Sequence, residues 1–255
     1  MLAVISPAKK LNMDPVIGIE RTVPSFAAET KELIDVARNL DVPALRKLMS
    51  ISEKLAELNV ERFAAFSETP DVDAVKQAMY MFAGDTYTGL DAGSLDADTV
   101  AYAQDHLRIL SGLYGILRPL DGAQAYRLEM GSRLATSKGK NLYEFWGNKI
   151  ALNLNESAQA AGAQYVVNCA STEYFSAVAK EALHPKIITP VFLERRDGTE
   201  KVISFFAKKA RGAMARFIVE NRVNSIPQLH EFDAGGYALD ASQSDDTTLV
   251  FSRDS

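Results

Sequence analysis

The 255-residue chain has one cysteine, three histidines and one tryptophan. A single thiol closes no internal disulfide, and Cys169 lies in an apolar run, Tyr165 to Ala170, that reads as a buried strand. A reducing compartment is the expected setting. His106, His184 and His230 are far apart and share no metal-ligand spacing with one another or with Cys169, so no metal and no cofactor are expected. No run approaches the roughly 18 apolar residues of a membrane span. The start, Met1-Leu2-Ala3-Val4-Ile5-Ser6-Pro7, lacks the basic flank and the long apolar stretch of a signal peptide. These absences predict a cytoplasmic protein with no membrane partner. A Walker loop, a dinucleotide-binding glycine pattern and a nucleophile elbow are also missing.

What is present is an ordinary globular composition, 47% hydrophobic, with no Gly/Ser- or Pro-rich linker and no internal repeat. One mixed α/β domain over residues 1–255 is the simplest organisation. Leu2 to Ile5 predicts a buried strand closed by Ser6-Pro7. Helices are expected near 26–40, after the capping-box pattern Ser50-Ile51-Ser52-Glu53, over 71–82, over 96–107 and from 142 to 154. Phe82 to Leu90, with two glycines, predicts a short strand or turn. From Leu120 to about Lys140 no period is sustained, which marks a functional irregular segment. A strand at 165–170 and a short helix near 172–180 follow. A hairpin is expected from Lys186–Glu194 and Lys201–Ala207 around Asp197-Gly198, then a basic helix over 208–222 and two short strands near Tyr237 and at 249–251.

The formal charge of −5 hides an asymmetry. Residues 201–222 hold Lys201, Lys208, Lys209, Arg211, Arg216 and Arg222 against the single acid Glu220. At helical spacing Ala210, Met214, Phe217 and Ile218 form a core face, with Lys208, Lys209 and Arg216 opposite and Arg211 and Arg222 flanking. Placed in a first turn, Lys208, Lys209 and Arg211 would oppose the helix dipole by about 0.3–1 kcal/mol each, which an anion such as phosphate would offset. A solvated face is the plain alternative.

A second basic region, Arg108 to Lys149, interleaves Arg118, Tyr126 and Arg127. Arginines grip phosphates and aromatics stack on bases, but pairing with Asp121 and Glu129 accounts for the same arginines equally well. Leu110 to Leu117 resembles the hairpin of a helix-hairpin-helix element, with Gly112 and Gly115 three apart rather than two. A tight turn between core elements fits it as well. Ser6-Pro7-Ala8-Lys9 has the spacing of a serine–lysine nucleophile and base without the companion motifs, and Lys9 and Lys10 fit better as phosphate contacts.

Taken together the segments resemble the YaaA family. They are Ile5 to Lys9, Gly84 to Leu90, Leu107 to Gly115 continuing through Arg118 to Asp121, Tyr126 to Gly131, Leu142 to Trp146 and Ala207 to Gly212. They occur in order along nearly the whole chain. The resemblance implies a single α/β domain with a basic cleft, a helix-hairpin-helix-like element, affinity for DNA and a role in surviving hydrogen peroxide. Position by position, it implies a cleft using Lys9, Arg118, Arg127, Lys208, Lys209 and Arg211, with Gly112 and Gly115 in the hairpin. Ala125 stands where the family pattern has proline, and Cys169 where it has leucine.

The resulting expectation is a DNA-binding stress protein without catalytic turnover. It would hold DNA through Lys9, Arg118, Tyr126, Arg127, Lys208, Lys209, Arg211 and Arg216, selecting structure rather than sequence. The alternative is an enzyme acting on a small phosphorylated or nucleic-acid substrate, with Ser6, Lys9, Asp85, Glu129 and Glu173 as its polar groups. Iron handling has the least support, because histidines and cysteines are not clustered. No sequence signal sets an oligomeric state.

Overall fold

Strands buried on both faces need apolar residues without polar alternation, and β1 (Leu2–Ile5) is fully buried along its length. A computed structural model describes residues 1–254. Beyond β1 come the short β2 (Lys10–Leu11) and three helices, α1 (Ala27–Ala37), α2 (Val42–Met49) and α3 (Glu53–Ala65). Asp41 and Ser52 cap α2 and α3, their side chains accepting from the Ala44 and Leu55 amides. Next are β3 (Val75–Gln77), α4 (Ala78–Met81), β4 (Phe82–Ala83) and α5 (Asp85–Leu90). The helix α6 (Ala97–His106) runs directly into β5 (Leu107–Ser111), which turns back into β6 (Gly115–Leu117) ahead of β7 (Gly122–Gln124). Then follow α7 (Leu142–Trp146), α8 (Lys149–Ala160), β8 (Tyr165–Cys169), α9 (Thr172–Phe175), β9 (Lys186–Arg196) and β10 (Thr199–Lys201). The chain finishes through α10 (Ser204–Glu220), α11 (Ile226–Leu229), β11 (Ala238–Leu239) and β12 (Thr248–Asp254).

Eight strands make one mixed sheet in the order β11-β12-β9-β8-β1-β5-β6, with β10 paired to β9. The β12, β9, β8, β1 and β5 strands are parallel neighbours, while β6, β10 and β11 pair antiparallel. Helices surround the sheet over one hydrophobic core cluster, so the mixed α/β expectation holds. The 17-residue α10 lies against β1, β8 and β9 and packs along α5.

Several local expectations are corrected. Residues 71–82 are not one helix but a 3-10 turn, β3 and the single turn of α4, because β3 pairs with β7 instead of continuing a helix. Phe82 to Leu90 is mostly α5 rather than strand. The expected single helix from 142 breaks at Gly147, whose φ of 47° lies in the left-handed region. Ser204 to Ala207 belongs to α10 and not to the hairpin strand, which stops at Lys201. The basic helix therefore starts four residues before Lys208. Lys208, Lys209 and Arg211 sit beyond its first turn, and the helix-dipole penalty expected for them does not apply, since it fades within one turn.

The helix-hairpin-helix expectation is corrected as well. Gly112 and Gly115 turn a β-hairpin between β5 and β6, and Ser111 to Leu117 is buried throughout. The Gly112 carbonyl accepts from the Trp146 indole at 3.1 Å, and a Cβ on Gly112 would come within 3.1 Å of the Leu128 carbonyl carbon. Gly115 has φ 68°, with Trp146 against it. These glycines allow close packing inside the core, where their amides cannot meet a DNA phosphate.

Candidate functional site

The strand order changes direction beside β1. Its parallel neighbour β5 lies on one side, while β8, β9 and β12 extend on the other. In such sheets the chain leaves the carboxyl ends of the two central strands in opposite directions and opens a crevice there. A cleft of about 440 Å³ occupies that position. Ser6 follows β1 and Ser171 follows β8. The Ser6 hydroxyl accepts from the Ser171 amide at 2.8 Å and lies 3.3 Å from the Ser171 hydroxyl, tying the two strand ends together.

Three walls rise around this floor. Lys208 and Arg211 come from α10. The second wall is the irregular segment after β7, in which Tyr126, Leu128 and Met130 are buried and Arg127 and Glu129 alternate outward. On the third side, Lys10 pairs with Ala83 in the β2–β4 ladder, holding Lys9 and Lys10 beside Gly84 to Thr86.

Five cations, Lys9, Lys10, Arg127, Lys208 and Arg211, and three carboxylates, Asp85, Glu129 and Glu173, line the cleft. Two of the cations are held internally, Arg127 at 2.8 Å from Glu129 and Lys9 at 3.4 Å from the same oxygen. Glu173 accepts from the Gly131 amide at 3.0 Å. Among the described residues, Lys10, Lys208 and Arg211 make neither a salt bridge nor a side-chain hydrogen bond. Arg211 is half-buried, and burial pulls its guanidinium below the ordinary value, with neighbouring Cys169 acting in the opposite direction. Glu129, on the same lining, carries a second unmet group. One oxygen of Glu129 is buried with no hydrogen-bond partner, a condition found among the described side chains only here and at Asn59.

Cys169 borders the floor and is fully buried. Burial pushes its thiol up to about 12, Arg211 opposing, so at neutral pH it is a protonated, unreactive group. Iodoacetamide at pH 7.5 is therefore expected to label Cys169 only after denaturation, as read by intact mass. Labelling of the native protein at the denatured rate would overturn this. Among the described residues no group of three or more His, Cys, Asp or Glu side chains is placed to hold a metal ion, and no helix is long and apolar enough to cross a membrane.

The predicted contact residues divide into three sets. Lys9, Arg127, Lys208 and Arg211 line this cleft. Lys209 and Arg216 face a neighbouring groove of about 420 Å³ with Phe205, Phe206 and Arg253, because consecutive helical residues diverge by about 100° around the axis. Arg216 is engaged there by Asp91 at 3.3 Å and by Glu220 at 2.6 Å. Arg118 lies outside both, its guanidinium 3.0 Å from fully buried Asp121 and donating to the Val23 carbonyl. Tyr126 does border the cleft, but it is 5% exposed and its hydroxyl meets that of Ser111 at 2.6 Å, so no face is free to stack on a base. Ser171, Thr86 and Tyr174, which the sequence did not single out, also line the cleft. The only local signal for Ser171 is its place just after an apolar run, the counterpart of Ser6 after β1.

Residues 1–243 match the family described as "Peroxide stress protein YaaA". The chain belongs to the YaaA family. A UPF0246 protein of Dinoroseobacter shibae is 60% identical over 253 residues, covering 99% of this chain and 95% of its own. UPF0246 proteins of Alteromonas mediterranea and Ruegeria pomeroyi are 54% and 51% identical, each covering 99% of this chain and 98% of their own. Two of the segments that carry the YaaA family resemblance, Gly84 to Leu90 and Ala207 to Gly212, meet where α5 crosses α10. A Cβ on Gly89 would lie 2.8 Å from the Ala213 nitrogen, and one on Gly212 would lie 2.8 Å from the Leu90 nitrogen. Their glycines thus serve backbone-to-backbone packing, while Asp85, Thr86, Lys208 and Arg211 from the same segments face the cleft.

Proposed function

We propose that this YaaA-family chain is a DNA-binding protein of the hydrogen peroxide stress response, holding DNA phosphates at the cleft between α10 and the ends of β1 and β8. Membership of a peroxide stress family supports the setting. The reading rests on one observation: three cations, Lys10, Lys208 and Arg211, converge on the cleft without carboxylate partners. Unpaired cations held together repel one another, and half-buried Arg211 also loses solvation; polyanionic phosphate relieves both costs. The unpaired cleft cations meet phosphate rather than a base edge, so the protein selects the shape or distortion of DNA and not its sequence. Protection against iron- and peroxide-dependent DNA damage follows from occupancy of the DNA.

Affinity should fall steeply with rising salt, since each neutralised phosphate releases condensed counterions. Lys10→Ala with Lys208→Ala is expected to weaken binding to all sequences alike and to reduce the salt slope by about one per contacting lysine. Fluorescence anisotropy of labelled duplex and bubble DNA over a salt series measures this. A double variant that bound every DNA as tightly as the parent would leave these lysines merely solvated and defeat the reading.

A further inference from the structure

We infer that the floor of the cleft is a pocket for one nucleotide unit, with its phosphate on Arg211 and a hydrogen-bond donor of its nucleoside on Glu129. This deepens the DNA-binding reading of the same cleft by separating a rim, Lys9, Lys10 and Lys208, from a floor. The separation follows from exposure. Lys9, Lys10 and Lys208 are exposed, whereas Arg211 is half-buried beside Cys169. A base-paired duplex does not enter a cavity of about 440 Å³, but that volume lies in the roughly 300–1,000 Å³ range of small-ligand sites. Only a narrow group, such as a terminal or extruded nucleotide, reaches Arg211.

Two unmet groups define what fits. A guanidinium presents a planar fork of donors that matches two phosphate oxygens, and among the described residues none of the Arg211 donors is taken. The carboxylate of Glu129 is locked by Arg127 through one oxygen and left without a partner at the other. A carboxylate only accepts, so the complementary group is an N–H or O–H, as on a base edge or sugar. Pro7, Ala8, Ala83 and Leu128 supply apolar wall to the same cleft. Inorganic phosphate satisfies the first group alone and a nucleoside the second alone. A nucleoside monophosphate satisfies both.

Isothermal titration with deoxyadenosine monophosphate, inorganic phosphate and deoxyadenosine tests the pocket, alongside anisotropy with duplex and bubble DNA. The full-length protein is expected to bind the monophosphate more tightly than either fragment. Arg211→Gln should lower monophosphate affinity by about tenfold or more, the loss of a bidentate charge-assisted pair. Arg211→Lys, which keeps the charge without the fork, should fall between the two and guards against a folding defect in the first variant. Lys10→Ala with Lys208→Ala should reverse the order, weakening duplex binding more than monophosphate binding. Glu129→Gln should narrow the preference for monophosphate over inorganic phosphate. Equal monophosphate affinity in the parent and Arg211→Gln, or no monophosphate binding at all, overturns the inference while duplex binding stands. Monophosphate binding in a protein that binds neither duplex nor bubble DNA leaves the pocket intact and removes the DNA-binding reading.

Discussion

Gly212→Ala is expected to destabilise the protein by about 3 kcal/mol, the upper end of ordinary overpacking costs. Alanine in place of glycine normally favours a helix interior by about 1 kcal/mol, and Gly212 lies well inside α10. Here sterics win. The added Cβ would sit 2.7 Å from the Thr86 carbonyl carbon and 2.8 Å from the Leu90 nitrogen, and both are backbone atoms that cannot rotate aside. Relief requires α10 and α5 to move apart, which also displaces Lys208 and Arg211 from Asp85 and Thr86 across the cleft. For a chain of this size the cost corresponds to a melting temperature lower by about 6–12 °C. Gly89→Ala should act in the same direction, since its Cβ would lie 2.9 Å from the Lys209 carbonyl carbon. Gly93→Ala is the control, with nothing within 4 Å of the added methyl. Thermal melts of the three variants decide the matter, and a Gly212→Ala protein as stable as the parent would refute the close approach.

Arg253→Met should cost more, about 3–5 kcal/mol, because it strands a buried charge. Glu194, on β9, is 1% exposed, and its two carboxylate oxygens accept from the Arg253 Nε at 3.0 and 3.1 Å. Arg253 stands opposite Glu194 in the parallel β9–β12 pairing. Its guanidinium donates to the Gly235 carbonyl at 2.6 Å and lies 4.6 Å from the Tyr237 ring centre and 4.9 Å from that of Phe206. Tyr237 donates to the same carboxylate, and burial with that hydrogen bond raises its own hydroxyl. Without Arg253 the carboxylate keeps one neutral donor and no cation. Adding Glu194→Gln to Arg253→Met should restore part of the loss, since no uncompensated charge remains. Urea unfolding of the two variants measures both terms. A single variant within about 1 kcal/mol of the parent would mean that solvent reaches Glu194 after all.

Much of this architecture was legible along the chain because local chemistry dictates it. Leu2 to Ile5 and Tyr165 to Cys169 carry the unbroken apolar character of central parallel strands, and Asp197-Gly198 marks the β9–β10 turn, with both residues at positive φ. The start of α3 was legible only to within two residues: the capping-box spacing points to Ser50 as the cap, whereas Ser52 caps α3 and Ser50 closes α2 in the left-handed region. Residues 71–90 misled, because short strands that pair at long range impose a conformation on segments whose own spacing suggests otherwise. Val75 to Gln77 is a strand only because Gly122 to Gln124 lies beside it.

The site divides along the same line. Sequence by itself determined the family, the α/β class and the cationic character of Lys9, Lys10, Lys208 and Arg211, since these depend on residue identity and order. Tertiary structure alone decided which cations share a cleft. A strand order that places β1 between β5 and β8 joins Ser6 to Ser171 across 165 residues. One step around α10 sends Lys209 to a different groove from Lys208. Arg118 and Arg127 are held by Asp121 and Glu129, whereas Arg211 is left open. Charge is a property of the residue, but its availability to a ligand depends on neighbours brought in from distant parts of the chain.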